Sequence, residues 1–253
     1  MTALNGRHAL VTGGGRGIGR AVAAALSGAG ATVTVLGRQE AALQDAVATG
    51  HAAGSVVADV TDEAAVVAAV KQAVAARGSI DILVANAGAG ESTPFMKSDA
   101  AQFHRMFDLN VMGVVHATRA VLGDMSKRRY GRIVVNSSVA GLKGYAYVTA
   151  YCMAKHAVVG FVRALAQETV KSGVTVNAVC PGYTDTDLVG SAIDFVTSKT
   201  GRTEEQAVAD MLKDKPIGRL ITPQEVAAAV LFLCSEGASA ITGTTLTVAG
   251  GEI

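Results

Sequence analysis

Cysteine is scarce in this chain. Cys152, Cys180 and Cys234 lie far apart, with no CxxC pair and no His-rich spacing beside them, a pattern that supports neither a disulfide framework nor a zinc site. They are expected to be reduced thiols in or near the core. Charge of one sign is equally lacking: the formal net charge is +1, with Lys and Arg dispersed, so there is no footprint for a polyanion such as DNA. No apolar stretch approaches the roughly 18 residues that a membrane-spanning helix needs, and Met1 to His8 is too short and polar for a signal peptide. A cytoplasmic location without membrane insertion is therefore expected. What is present is apolar residue in quantity, 50% against 17% charged, enough for a large core and unlike a disordered chain. With no break in composition across 253 residues, one domain, 1–253, is expected.

Short β-branched runs alternate with longer Ala-rich segments, the βαβ pattern of a parallel sheet with helices on both faces. Strands are predicted at His8–Thr12, Ala31–Leu36, Ser55–Asp59, Ile80–Ala85, Arg132–Asn136, Val174–Val179 and Thr244–Val248. Helices are predicted near 17–29, 39–49, 62–77, 99–128, 150–171 and 223–235, each rich in good helix formers. Thr222-Pro223 fits an N-cap followed by Pro at the first helical position. The fold class expected is thus α/β, a Rossmann-type doubly wound domain with a seven-stranded parallel sheet. Residues 184–215 break the alternation, and so long an insertion reads as a substrate lid or as a surface elaboration, the lid being favoured.

The run Thr12-Gly13-Gly14-Gly15-Arg16-Gly17-Ile18-Gly19 follows the first strand and opens the first helix, where free backbone N–H groups and the helix dipole favour a phosphate. A strict GxGxxG fails because Ile18 stands at the third Gly, whereas Gly13-x3-Gly17-x-Gly19 is met. The acidic residue that normally bonds an adenosine ribose 2′-OH at the end of the second strand is missing. Gly37-Arg38 stands there instead, and Arg16 lies within the loop. Two guanidinium groups would attract a 2′-phosphate, so NADP(H) is the expected cofactor, with NAD(H) still usable if Arg38 merely stacks on adenine. Asp59-Val60 and Asn86-Ala87-Gly88 close the third and fourth strands, and strand carboxyl ends line the ligand crevice. Without a ligand the same residues read as a helix cap and a turn.

Tyr151 and Lys155 are four apart in a helical segment and so share a face. A free phenol is a poor base near neutral pH, but an adjacent ammonium stabilises phenolate and lowers its pKa, which would make Tyr151 a usable acid/base. Ser138, at the end of the Arg132–Asn136 strand, brings a hydroxyl to the same crevice, suited to a substrate oxygen gaining charge; Ser137 beside it is a decoy. Taken singly, Tyr151 reads as a core aromatic, Lys155 as a solvated charge and Ser138 as a turn cap. The order loop, Ser, Tyr, Lys is what favours chemistry.

Over essentially its whole length the chain resembles the short-chain dehydrogenase/reductase family. Thr12 to Gly19 resembles its TGxxxGxG loop, Asn86-Ala87-Gly88 its NAG motif, Tyr151-Cys152-Met153-Ala154-Lys155 its YxxxK motif, and Pro181-Gly182 with Thr186 its PGxxxT stretch. The resemblance implies that Tyr151 exchanges the proton, Ser138 orients the carbonyl, and Lys155 tunes Tyr151 and bonds the nicotinamide ribose. It implies that Asn110 holds a water in a proton relay through Lys155. Cofactor contacts are then expected from Gly13, Gly15, Arg16, Gly17, Ile18, Gly19, Arg38, Asp59, Val60, Asn86, Ala87, Gly88, Tyr151, Lys155, Pro181, Gly182, Thr184 and Thr186, and a homotetramer through 99–128 and 150–171.

Within the family the chain is most similar to bacterial 3-oxoacyl thioester reductases and 3-hydroxyacyl dehydrogenases, on Val139-Ala140-Gly141 and Ile241-Thr242-Gly243. Tyr145, Tyr147, Leu188 and Val189 are expected to shape an apolar substrate pocket, which suits a cyclic or aromatic ketone equally. Lys127-Arg128-Arg129 reads as a helix terminus before it reads as a carrier-protein site. The rival readings are a non-catalytic dinucleotide sensor, a Rossmann methyltransferase, and a metal-dependent alcohol dehydrogenase. The five His show no ligand spacing for the last, and no catalytic metal is expected.

Overall fold

In a computed structural model, which describes residues 4–253 but not the side chains of Leu188, Phe195 and Val196, seven parallel strands form one sheet. They are β1 (His8–Thr12), β2 (Thr32–Gly37), β3 (Gly54–Val57), β4 (Ile82–Ala85), β5 (Gly131–Asn136), β6 (Val174–Pro181) and β7 (Thr245–Val248). Their order is β3-β2-β1-β4-β5-β6-β7, so the winding reverses between β1 and β4, and the carboxyl edge there opens as a crevice. Every residue of β1, β4 and β6 is buried, as strands covered on both faces must be.

Alternation along the strands sorts the core into two layers. Ala9, Val11, Val33 and Val35 point to one face, where α1 (Gly17–Gly28), α2 (Glu40–Ala48) and α9 (Pro223–Cys234) bury Val22, Leu26, Leu43, Val226 and Leu233. Leu10, Leu36 and Leu83 point to the other, against Val66, Val70, Val121, Met125, Val158 and Val162. These come from α3 (Glu63–Arg77), α5 (Gly113–Arg128) and α6 (Thr149–Thr169). Each such side chain contributes roughly 1.5–3 kcal/mol when fully buried. Thr222 caps α9 in a reciprocal capping box with Glu225, with Pro223 at the first helical position.

Two helical stretches differ from the sequence reading. The single helix expected over 99–128 is α4 (Ala100–Phe107), a π-helical turn at Asp108–Met112, then α5. At the break the chain packs closely, a Cβ on Gly113 lying 2.7 Å from Val60 Cγ2, and the turn buries the Asn110 side chain. The insertion folds as α7 (Asp187–Thr200) and α8 (Glu204–Leu212), the latter started by a Thr203–Gln206 capping box. Among the described residues no helix is long and apolar enough to cross a membrane.

Candidate active site

The glycine loop and the NAG turn are fastened to each other. Thr12 Oγ1, at the end of β1, accepts from the backbone N–H groups of both Asn86 and Ala87 at 3.0 Å. The Asn86 amide returns to Thr12 O at 3.0 Å and Gly13 O at 3.3 Å. The loop folds so tightly on itself that a Cβ at Gly19 would stand 2.2 Å from Gly13 O, and Gly13 itself has a φ of +65°. Gly13 and Gly19 are therefore needed by the loop's own packing. Gly17, whose Cβ direction faces Thr186 Cγ2 at 3.3 Å, lines the gap towards the segment after β6.

α1 begins without a side-chain cap, which leaves its first N–H groups open at the positive end of the helix dipole. That opening, with Arg16 and Arg38 beside the crevice, fits the pyrophosphate and ribose of a dinucleotide. Arg38 pairs with Asp59 at 3.6 Å and Arg16 with Asp187 at 3.7 Å, both guanidiniums being well exposed. Asp59 also accepts from Thr61 N and Oγ1, and with Arg38 these bonds hold its carboxyl below the usual value in spite of the opposing effect of burial. It is not the cap of α3, a role that falls to Asp62. Val60 turns its side chain into the core and its carbonyl towards His116, so only its main chain is left for an adenine. Ile18 packs against the α1–α9 layer.

A second run of bonds leads from the loop to the candidate acid/base. Asn136, at the end of β5, donates from Nδ2 to Asn86 Oδ1 at 2.9 Å, and its carbonyl accepts from Lys155 Nζ at 2.9 Å. Lys155 is buried, with its ammonium 5.6 Å from the Tyr151 ring centre. Ser138 Oγ accepts from Ala140 N at 3.1 Å, and its hydroxyl is near enough to the Tyr151 phenol to draw its pKa down. Ser137 is the decoy: it is buried and donates to Lys155 O at 3.3 Å. Asn110 Nδ2 donates to Ala89 O at 2.9 Å and Met106 O at 3.0 Å, while its buried Oδ1 has no partner. That oxygen and Lys155 Nζ flank one spot beside Gly88, at 2.7 and 3.6 Å from where a Gly88 Cβ would be.

The expected lowering of the Tyr151 pKa by Lys155 is not what the site shows. Burial pushes the phenol up to about 12, with the Ser138 hydroxyl pulling the other way. Burial likewise brings Lys155 down to about 8. The ammonium is engaged by the Asn136 carbonyl, and removal of water from the buried phenol sets the direction.

On the other side of the crevice Pro181 ends β6 and is buried, Thr184 donates to Gly182 O at 3.0 Å, and Thr186 donates to Thr184 O at 3.2 Å. Of the expected substrate residues, Tyr145 gives its hydroxyl to Glu252, Tyr147 is exposed with a φ of +68°, and Val189 is half-buried. The Leu188 side chain lies outside the described residues. Arg128, read as a helix-terminal charge, is bound to Asp81, Asp124 and Ile80 O. The sequence reading missed Thr12 as a clamp, Asn136, Lys143, Tyr183, Lys215 and Glu252. Asn136 was within reach of it, as the polar residue ending β5 next to Ser137-Ser138; the others come together only in space.

Residues 7–196 match the profile of the short chain dehydrogenase family. The oxidoreductase UcpA of Escherichia coli K12 is 39% identical, covering 100% of this chain and 96% of its own length. The 3-oxoacyl-acyl-carrier-protein reductase of Haemophilus influenzae is also 39% identical, covering 98% of both chains. Among solved structures, an actinorhodin polyketide ketoreductase crystallised with NADPH superimposes with a TM-score of 0.93 at 34% identity, over 97% of each chain.

Proposed function

This chain belongs to the short-chain dehydrogenase family and is an oxidoreductase of carbonyl and alcohol groups; from that premise we propose that it reduces 3-oxoacyl thioesters, with NADP(H) preferred over NAD(H). The observation that carries this reading is the bonded run Thr12–Asn86–Asn136–Lys155, which ends beneath the Ser138–Tyr151 pair. The Haemophilus influenzae reductase supports the substrate class, and the ketoreductase crystallised with NADPH supports the cofactor.

When bound, the nicotinamide supplies the hydride that goes to the carbonyl carbon. The chain's own groups handle the oxygen. Ser138 Oγ, one lone pair of which is taken by Ala140 N–H, turns its proton to the substrate oxygen and steadies the charge growing there. Tyr151 gives that oxygen its proton. A phenol held near 12 is fully protonated at neutral pH, and an alkoxide is a far stronger base, so the transfer runs downhill. Alcohol oxidation needs the phenolate and should gain rate as pH rises. Lys155, at about 8, is mostly charged at neutral pH and stands behind Tyr151 as the source of the replacement proton. The unpartnered Asn110 Oδ1 holds the donor that links Lys155 to solvent.

Arg38 and Arg16 would receive the 2′-phosphate, each exchanging a loose ion pair with Asp59 or Asp187 for a doubly charged group. Asn86, Ala87, Gly88, Pro181, Gly182, Thr184 and Thr186 border the rest of the cofactor. Residues 184–215 act as the lid of a single domain, joined to the glycine loop by Arg16–Asp187 until the phosphate takes Arg16. The exposed Phe107 and Met153 suit burial between copies of this chain as a homotetramer, which sedimentation tests.

Tyr151→Phe tests the assignment of the acid. It should cut turnover of acetoacetyl-coenzyme A by about a hundredfold to ten-thousandfold and leave NADPH affinity nearly unchanged. Undiminished turnover would remove Tyr151 from the chemistry, and a cyclic ketone with a higher kcat/KM than the thioester would overturn the substrate.

A further inference from the structure

Between the Ser138 segment and the segment after β7 sits a cluster that the reduction chemistry does not use. The Glu252 side chain is 3% exposed and accepts through Oε1 from Tyr145 Oη and from Lys215 Nζ, with Lys143 Nζ 3.5 Å from the same oxygen. Lys143 also donates to Glu252 O at 3.3 Å. Its backbone N is bonded to Val139 O, so it belongs to the turn that follows Ser138. Glu252 Oε2 lies 3.3 Å from where a Gly182 Cβ would be, so the carboxylate reaches the rim of the crevice on the side opposite Lys143. The cluster therefore borders the site where the carbonyl would react. Pro216 and Ile217 pack on Gly251 and Gly250, which holds Lys215 against Glu252.

Two cations and a phenol converge on one carboxylate oxygen. An sp² oxygen offers two lone pairs, so three donors exceed what it can accept, and the Lys143 contact is the long one. The ammonium groups stand 5.2 Å from the Tyr145 ring centre, and Lys215 stands 5.3 Å from that of Tyr183. These faces stabilise cations without neutralising them. The charged side chains of the cluster sum to +1, and Lys143, at 40% exposure, is the donor open to solvent.

We propose that this cluster receives an anionic oxygen group of the substrate, remote from the reacting carbonyl, with Lys143 as the specificity-determining donor and Glu252 as the carboxylate that competes with the substrate for it. The inference rests on the reductase reading above and adds to it the charge of the substrate. The anion comes either from the phosphates of a coenzyme A or phosphopantetheine thioester or from a carboxylate on the keto substrate itself.

The test pairs charged and neutral substrates: acetoacetyl-coenzyme A against acetoacetyl-N-acetylcysteamine, and levulinate against methyl levulinate. The wild-type chain should favour the anion of one pair in kcat/KM, and which pair does so identifies the source. Lys143→Gln should reduce that preference about fivefold, the scale of an exposed ion pair, through KM and without change for the neutral partner. Glu252→Gln should move the preference the other way, because it removes the competing carboxylate. A merely structural cluster would lower both members of a pair together. Calorimetric titration with glutarate, which cannot be reduced, gives a readout free of turnover: the affinity should fall in Lys143→Gln and rise in Glu252→Gln. Reduction without charge preference in any variant, together with unchanged glutarate binding, overturns this inference and leaves the reductase reading intact. Glutarate binding in the expected order without reduction of any substrate does the reverse.

Discussion

Replacing Thr12 by Val removes one oxygen and leaves the shape of the side chain nearly intact, so the cost can be worked from the two bonds lost. Thr12 is 1% exposed, and its hydroxyl oxygen is the acceptor recorded for the amides of Asn86 and Ala87. Each amide left without a partner costs about 1–3 kcal/mol. Asn86 and Ala87 are half-buried, so water partly rescues them and the lower half of that range applies. A loss of about 2–4 kcal/mol is expected for Thr12→Val, against less than about 1 kcal/mol for Thr12→Ser, which keeps the oxygen. With no Trp in the chain, urea unfolding is best followed by far-ultraviolet circular dichroism. NADPH affinity should fall in Thr12→Val, since the clamp joins the strand ends on both sides of the crevice. Equal stability of the Val and Ser variants would show that the clamp does not hold the site together.

Arg38→Asp should lower the ratio of NADPH to NADH kcat/KM by about tenfold to a hundredfold, the worth of charge-assisted bonds to phosphate; an unaltered ratio removes Arg38 from cofactor choice. His8 bridges Gly78 O and Thr34 Oγ1 at 2.8 Å each, and burial holds its ring below the ordinary value of 6.5. The unfolded chain therefore takes up a proton that the folded chain resists. Stability is whole above about 6.5 and falls as pH drops through that value towards the lower folded one, by up to about 1.4 kcal/mol per pH unit. Urea midpoints across this window should flatten in His8→Gln; the same acid slope in the variant would assign the effect elsewhere.

The sheet was legible because parallel strands buried on both faces read as unbroken β-branched runs, and their seven positions shift by no more than two residues at either end. Tyr151, Lys155 and Ser138 were legible because a helix face and a strand end bring them together from nearby sequence. The Lys155 effect on Tyr151 was not, since a spacing of four tells that two groups are neighbours and says nothing of how much water either loses. Glu252 with Lys143 and Lys215 was beyond reach for a different reason: 109 and 37 residues separate the partners, and no period links them. The pairing of Arg38 with Asp59 likewise depends on β2 and β3 ending side by side.

The π-helical turn at Asp108–Met112 makes this stretch sensitive to length more than to composition. Such a turn holds one residue more than the ladder on either side needs, and a single deletion there would let α4 and α5 merge without loss of a hydrogen bond. The merged rod would rotate one flank against the other by roughly 100°, carrying the Asn110 amide off Ala89 and the space beside Lys155. A deletion in this turn should therefore disturb both proton delivery and the packing of Val121 and Met125 in the core, whereas point changes at the exposed Asp108 should pass unnoticed.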